Sequence, residues 1–125
     1  MRATRKSAVK LIAAFGAMFT LSGICLTPSI AVGADSMADD GKQVAFDRKK
    51  GNCLACHKIK GGELPGNIGP ELIAMKARYP DKAKLRAKIW DATVTSPNTI
   101  MPPFGKHKIL TEKELDLVVE FIYTL

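Results

Sequence analysis

The chain has 125 residues, of which 19 are basic and 12 acidic, giving a formal net charge of +7. Four of the basic residues and none of the acidic ones lie in the first 34 positions, so the rest of the chain carries a net charge of only +3. This small charge, without aromatic residues interleaved among the basic ones, argues against a nucleic-acid-binding protein.

The first 34 residues form a predicted signal peptide. A basic stretch is followed by an apolar one from Leu11 to Leu26, and Ala34 closes a run of small residues that suits a signal peptidase. We therefore predict cleavage before Asp35, export to the periplasm and no stable membrane anchor. An uncleaved anchor is the alternative, but the apolar stretch is shorter than the roughly 20 residues that a span needs. Cys25 follows a residue too bulky for lipidation, so we assign it to the removed segment.

Residues 35–125 are predicted to form a single small domain. A chain of this size has a marginal core unless a cofactor or a crosslink supplements it. We predict a first helix that starts within Asp39–Asp40, where an aspartate can act as N-cap, and ends at about Lys50. Gly41 and Ala45 are four residues apart, so they form a stripe of small side chains where another helix can cross closely.

Cys53, Cys56 and His57 form the most informative motif of the sequence. Two cysteines three positions apart, followed directly by a histidine, are the attachment signal for c-type haem. On one turn of helix both sulfurs face the same side and can bond to the two vinyl groups of one porphyrin. The next residue then presents its imidazole to the iron. The motif predicts one covalent haem c, bound by both cysteines, with His57 as a metal ligand.

Three other uses of two nearby cysteines fit the sequence less well. A zinc ribbon needs a second cysteine pair or paired histidines, and no cysteine follows Cys56. A thioredoxin-like dithiol needs a βαβ context, and no strand-rich segment precedes the motif. A disulfide between Cys53 and Cys56 would be strained and would close almost no loop.

The region after the motif is predicted to be a loop followed by a helix. Residues 58–70 are rich in glycine and proline and predict a loop over one haem edge. The helix is predicted over about Asp81–Val94, with apolar residues on two almost opposite stripes. One stripe consists of Ala83, Ala87, Trp90 and Val94, and the other of Leu85, Ile89 and Ala92. If the Trp90 stripe faces the haem, the other stripe needs a cover within the domain or from another chain.

The predicted mature chain offers four candidates for the second axial ligand of the iron. We expect Met37 to be frayed, Met75 to pack in the core and His107 to be an exposed loop residue. Met101 precedes two prolines, which stiffen the loop enough to present a thioether sulfur. We therefore predict His57/Met101 ligation, which implies electron transfer, whereas an open sixth position would imply catalysis.

The last helix has the clearest start signal in the chain. Thr111 and Glu114 form a capping box. The apolar stripe that follows contains Leu115, Val118, Val119 and Ile122. Because the predicted elements are helices joined by glycine- and proline-rich loops, the predicted fold class is all-α.

Several blocks of sequence resemble a known family. They are Gly51–His57, Gly66–Pro70, Ile89–Asp91, Met101–Gly105 with Ile109–Thr111, and a closing helix that includes Phe121. The set resembles a class I monohaem cytochrome c domain. Over roughly residues 40–125 it more closely resembles the small subunit, SoxX, of the thiosulfate-oxidising SoxAX complex.

The resemblance implies a class I cytochrome c fold around one haem, with Gly41 and Phe46 near Phe121 where the first and last helices cross. It also implies that Pro70 accepts a hydrogen bond from the second nitrogen of His57. In that family the small subunit forms a heterodimer with a larger haem subunit, SoxA, which carries the reactive centre of an L-cysteine S-thiosulfotransferase. Electrons released when thiosulfate joins a carrier-protein cysteine pass to a downstream cytochrome, and the small subunit has no catalytic residue.

Three functions are compatible with the sequence: a subunit of such a complex, a free periplasmic electron carrier, and a haem enzyme or gas sensor. Met101 disfavours the third. The Leu85–Ile89 stripe favours the first, because a free carrier gains nothing from an exposed apolar patch. We predict that this stripe contacts the larger subunit. The basic residues expected to form its rim are Lys82, Lys84, Arg86 and Lys88.

Overall fold

The computed structural model describes residues 33–125, so the predicted leader up to residue 32, including Cys25, lies outside the described part. The four α-helices of the described part are α1 (Ala34–Phe46), α2 (Met75–Arg78), α3 (Lys82–Trp90) and α4 (Glu112–Ile122), and two 3₁₀ turns cover Cys53–Ala55 and Ala92–Val94. In this part the only β pairing is one isolated bridge, between Ile59 and Leu72. The predicted all-α fold class is therefore confirmed. From residue 33 onward, no helix is long and apolar enough to cross a membrane.

Helices α1 and α4 cross at close range, as predicted. A Cβ on Gly41 would lie 1.9 Å from the carbonyl oxygen of Leu117, so only glycine allows the two backbones to approach this closely. Ala45, one turn further along α1, is fully buried. The rings of Phe46 and Phe121 pack edge to face with centroids 5.7 Å apart. Such a pair adds about 0.5–1.5 kcal/mol beyond the area it buries.

The start of α4 also agrees with the prediction. The Thr111 hydroxyl accepts a hydrogen bond from the Glu114 N–H while the Glu114 side chain accepts one from the Thr111 N–H, which completes the capping box. All four residues of the predicted apolar stripe are buried, with Leu115 and Val118 the most completely enclosed. The Lys50 ammonium bonds Glu114 at 2.6 Å and so links the loop after α1 to this cap.

The predicted start of α1 was wrong. The helix begins at Ala34, with Gly33 at the N-cap, and not at the Asp39–Asp40 pair, which lies inside it. It also ends at Phe46, four residues before Lys50, because the backbone turns to an extended conformation at Asp47, with ψ of 119°. Alanine and methionine upstream of the aspartates are good helix formers and extend the helix towards the N-terminus.

The predicted orientation of the helix before the Met101 loop was also wrong. Leu85 is 3% exposed and Ile89 7% exposed, so this stripe belongs to the core and is not a surface for another chain. The opposite stripe faces outward, with Val94 78% exposed and Trp90 half-buried. Leucine and isoleucine offer more apolar area to bury than the two alanines of the other stripe, and burial free energy scales with that area.

Three ion pairs fix α3 against α4. Lys82 bonds Glu120 at 2.8 Å, and Arg86 bonds both Asp116, at 2.6 Å, and Glu112. The Asp81 side chain caps α3 by accepting from the Ala83 N–H. These contacts orient α3 so that its Leu85 side faces inward. The basic residues predicted as an interface rim are thus partly committed to contacts within the domain.

Candidate functional site

One cavity of about 610 Å³ lies between the Cys53–His57 motif and α3 and α4. Cys53, Cys56, His57 and Met101 all line it. Its apolar wall is formed by Met75, Leu85, Ile89, Phe104, Leu110, Val118 and Ile122. The volume lies within the range of about 300–1,000 Å³ typical of cofactor and ligand sites. The cavity is therefore a mostly apolar space with four side chains that can bind a metal or form a thioether.

The two cysteines lie on a tight 3₁₀ turn. Asn52 enters this turn in the left-handed conformation, with φ of 46°, and the His57 N–H donates to the Cys53 carbonyl at 2.9 Å. Both cysteines are free and half-buried. Burial raises the pKa of the Cys53 thiol to about 11. The reactive thiols of dithiol oxidoreductases have lowered pKa values, so Cys53 lacks the feature that a thioredoxin-like function requires.

His57 is held in one orientation by the loop that follows the motif. Its Nδ1 lies 2.7 Å from the carbonyl oxygen of Pro70. A carbonyl only accepts, so Nδ1 carries the proton and Nε2 keeps its lone pair for a metal. The backbone N–H of Gly69 donates to the Cys56 carbonyl at 2.8 Å, which anchors the loop beside the ring.

Gly69 is a residue whose role the sequence did not reveal. A Cβ at this position would lie 2.4 Å from Cε1 of His57 and 2.6 Å from Nδ1. The imidazole therefore occupies space that only a glycine leaves free. A glycine before the hydrogen-bonding proline was visible in the sequence, but its contact with the ring depends on the folded path of the loop.

The four candidates for a second axial ligand occupy different environments. Met101 is half-buried and lines the cavity, and its N–H donates to the Thr99 hydroxyl at 3.2 Å. Met75 also lines the cavity, but it is 2% exposed and its sulfur accepts from the Arg78 guanidinium at 3.4 Å. His107 is exposed and does not line the cavity. Met37 lies inside α1, not in a frayed terminus, and is also absent from the cavity wall.

These features fit a haem. The flat group needs an apolar cavity, two thiols on one turn, and an imidazole whose Nε2 is free, and the described residues bring these together. The same residues contain no cluster of three or more His, Cys, Asp or Glu side chains that could hold a bare metal ion. Leu85 and Ile89 contribute to the cavity wall, a role that the sequence had assigned to the Trp90 stripe.

Comparison with known proteins identifies the family. The model of the cytochrome c family matches residues 38–125, which is most of the chain. An uncharacterized lipoprotein of Aquifex aeolicus (strain VF5) is 33% identical over 76 residues, covering 60% of this chain and 37% of the relative. The chain thus spans well under half the length of that relative. It belongs to the cytochrome c family, whose members carry covalently bound haem c and transfer electrons.

Proposed function

From its place in the cytochrome c family, we propose that this protein is a monohaem electron-transfer subunit with His57 and Met101 as axial ligands. Cys53 and Cys56 are the proposed thioether attachment points. The observation that carries the proposal is that all four side chains line one apolar cavity. When bound, the haem supplies an iron centre that exchanges one electron at a time.

The residues around the cavity have distinct parts in this proposal. Pro70 keeps the proton on Nδ1 of His57 and so makes the ring a better donor through Nε2. The thioether of Met101 is a soft ligand that raises the reduction potential. The apolar wall would keep water away from the bound group, so a change of its charge would take place in a medium of low dielectric. An iron held by both His57 and Met101 would have no position left for a substrate.

We propose further that the chain is the small subunit of a SoxAX-type complex in the periplasm. In this proposal a larger, SoxA-like haem subunit holds the reactive centre, and the present chain passes electrons to a downstream cytochrome. The support is the set of sequence blocks that resemble SoxX, which include the turn at the cysteines and the Met101–Gly105 segment. The chain then takes part in a thiosulfate-oxidising reaction without a catalytic residue of its own.

A free periplasmic electron carrier is the second candidate. The burial of Leu85 and Ile89 favours it, because it removes the apolar surface that the sequence had suggested for a permanent partner. Both candidates use the same haem site, so they differ only in whether a second subunit accompanies the chain.

Isolation of the tagged protein from its native host separates the two candidates. A SoxA-like partner predicts a second haem-staining polypeptide in equal amount through size-exclusion chromatography. It also predicts that thiosulfate with a carrier protein reduces the haem of this chain only while that partner is present. A variant with both Cys53 and Cys56 replaced by alanine, which takes up no haem, controls for adhesion to the column. A haem protein that elutes alone and responds to ascorbate but not to thiosulfate would support the free carrier.

We also propose export and cleavage before Asp35. Apocytochrome and haem are joined outside the bacterial cytoplasm, which requires an export signal such as the one predicted here. N-terminal sequencing of the isolated protein is expected to begin within a few residues of Asp35. A mature chain that begins with a lipidated Cys25 would instead make the protein membrane-anchored.

A further inference from the structure

The Met101 loop is attached to the end of α3 by its backbone. The N–H groups of Gly105 and Lys106 both donate to the carbonyl oxygen of Trp90, at 3.2 and 3.3 Å. Gly105 also lies directly against the Trp90 ring, because a Cβ there would come within 1.9 Å of Cε3. A larger residue at position 105 would therefore push the loop away from the helix.

A side-chain ion pair reinforces the same junction. The Lys106 ammonium bonds Asp91 Oδ2 at 2.7 Å, and Oδ1 of the same carboxylate accepts from the Thr93 N–H at 3.0 Å. The Asp91 side chain is only 7% exposed, whereas that of Lys106 is 56% exposed. The carboxylate is thus fixed in the protein, and the lysine reaches in from the loop to meet it. Without Lys106, the nearly buried Asp91 carboxylate would keep its negative charge but lose its ion-pair partner, which is energetically unfavourable.

This junction lies close to Met101 along the chain, and the intervening segment is stiff. Only three residues separate Met101 from Gly105, and two of them are prolines with fixed φ. Helix α3, which ends at Trp90, presents Ile89 to the cavity on its inner side. The junction therefore fixes the path of the Met101 loop relative to one wall of the cavity.

We propose that the Asp91–Lys106 ion pair is a latch that positions Met101 as a haem ligand, with both residues acting through the loop and not on the iron. The proposal rests on the Met101 ligation proposed above. When the latch is closed, the loop presents the sulfur to the cavity. When it opens, the loop moves as a unit, and an external ligand competes with the sulfur for its position.

Competition by imidazole tests the latch in the haem-loaded, oxidised protein. The probe binds iron only where the loop has released it, so its apparent affinity reports the population of open loop. Lys106→Gln is expected to lower the apparent dissociation constant of imidazole roughly threefold or more, the range of coupling seen within charge networks. Asp91→Asn is expected to do the same, and the double variant no more than either single one, because each removes the same pair. Lys106→Arg keeps the charge and is expected to restore most of the wild-type affinity.

A control on the same loop distinguishes a latch from a general effect of charge. Lys108→Gln removes an equal charge from an exposed lysine that makes no ion pair within residues 33–125. It is expected to leave imidazole affinity within about twofold of wild type. Equal effects of Lys106→Gln and Lys108→Gln, or no effect of Lys106→Gln, would overturn the latch. If the oxidised wild-type protein lacks the red charge-transfer band of a sulfur–iron bond, or Met101→Ala retains it, the ligation itself is wrong.

Discussion

Replacing Gly41 by alanine tests the closest contact in the fold, where α1 crosses α4. The new Cβ would lie 1.9 Å from the Leu117 carbonyl oxygen, against 3.4 Å or more for an ordinary contact. The obstacle is backbone, so it cannot rotate away, and the helices must separate by about 1.5 Å at this point. That separation also loosens the nearby packing of Phe46 on Phe121.

The expected cost follows from two opposing effects. Overpacking a well-filled core costs about 1–3 kcal/mol, and a backbone clash belongs at or above the top of that range. Alanine in place of a helical glycine returns about 1 kcal/mol. We expect a net loss of about 2 kcal/mol in the free energy of unfolding, which lowers Tm by about 8–16 °C for a domain of this size.

Thermal and urea denaturation of the haem-loaded protein, followed by far-ultraviolet circular dichroism, measures this loss. Gln43→Ala is the matched control, because Gln43 is an exposed residue of the same helix and is retained in the predicted mature chain. The control is expected to change stability by no more than about 0.5 kcal/mol. If Gly41→Ala is as stable as Gln43→Ala, glycine is not required at the helix crossing.

Three further predictions concern the core, the cap of α4 and the site. Leu85→Ser with Ile89→Ser is expected to unfold the domain or alter its haem spectrum, since both side chains are buried. A stable variant with a normal haem spectrum would show that these two side chains lie at the surface. The Lys50 ammonium and the Thr111 cap hold the pKa of Glu114 at about 2, below 4.5, so its stabilisation is present above pH 4.5 and is lost as the pH falls towards 2. Glu114→Gln should therefore make the free energy of unfolding, measured in urea, fall less steeply as the pH decreases over that range. An unchanged pH dependence would mean that other carboxylates cause the fall. Gly69→Ala is expected to displace the His57 ring and weaken its hydrogen bond to Pro70. The imidazole then becomes less basic and stabilises oxidised iron less, so the reduction potential is expected to rise. An unchanged reduction potential in voltammetry would contradict this.

Local sequence signals predicted those parts of the fold that depend on a few adjacent residues. The capping box at Thr111 and the close approach at Gly41 each follow from a short pattern with a direct physical cause. The spacing of Cys53, Cys56 and His57 was likewise enough to predict that their side chains lie together. Such features need no knowledge of the rest of the chain.

Features that depend on which surfaces meet in the folded protein were not predictable in the same way. The two stripes of α3 are both apolar, so periodicity could not decide which one faces inward. The stripe with Trp90 was predicted to face the haem, and this was wrong. The relative volumes of Leu85 and Ala83 would have been the better guide. The ion pair between Lys106 and Asp91 joins residues 15 apart in the sequence, and no local sequence pattern predicts it.

His57 and Met101 are proposed to ligate one haem iron, and the charge-transfer band of the oxidised protein tests this ligation. The wild-type protein is expected to show the weak red band of a sulfur–iron bond. Met101→Ala is expected to lose that band and to have a lower reduction potential, because a soft sulfur ligand no longer favours the reduced iron. Met75→Ala and His107→Ala are the matched controls and should keep the band. A band that survives Met101→Ala, or a wild-type protein that lacks it and whose spectrum changes in His107→Ala, would contradict the account.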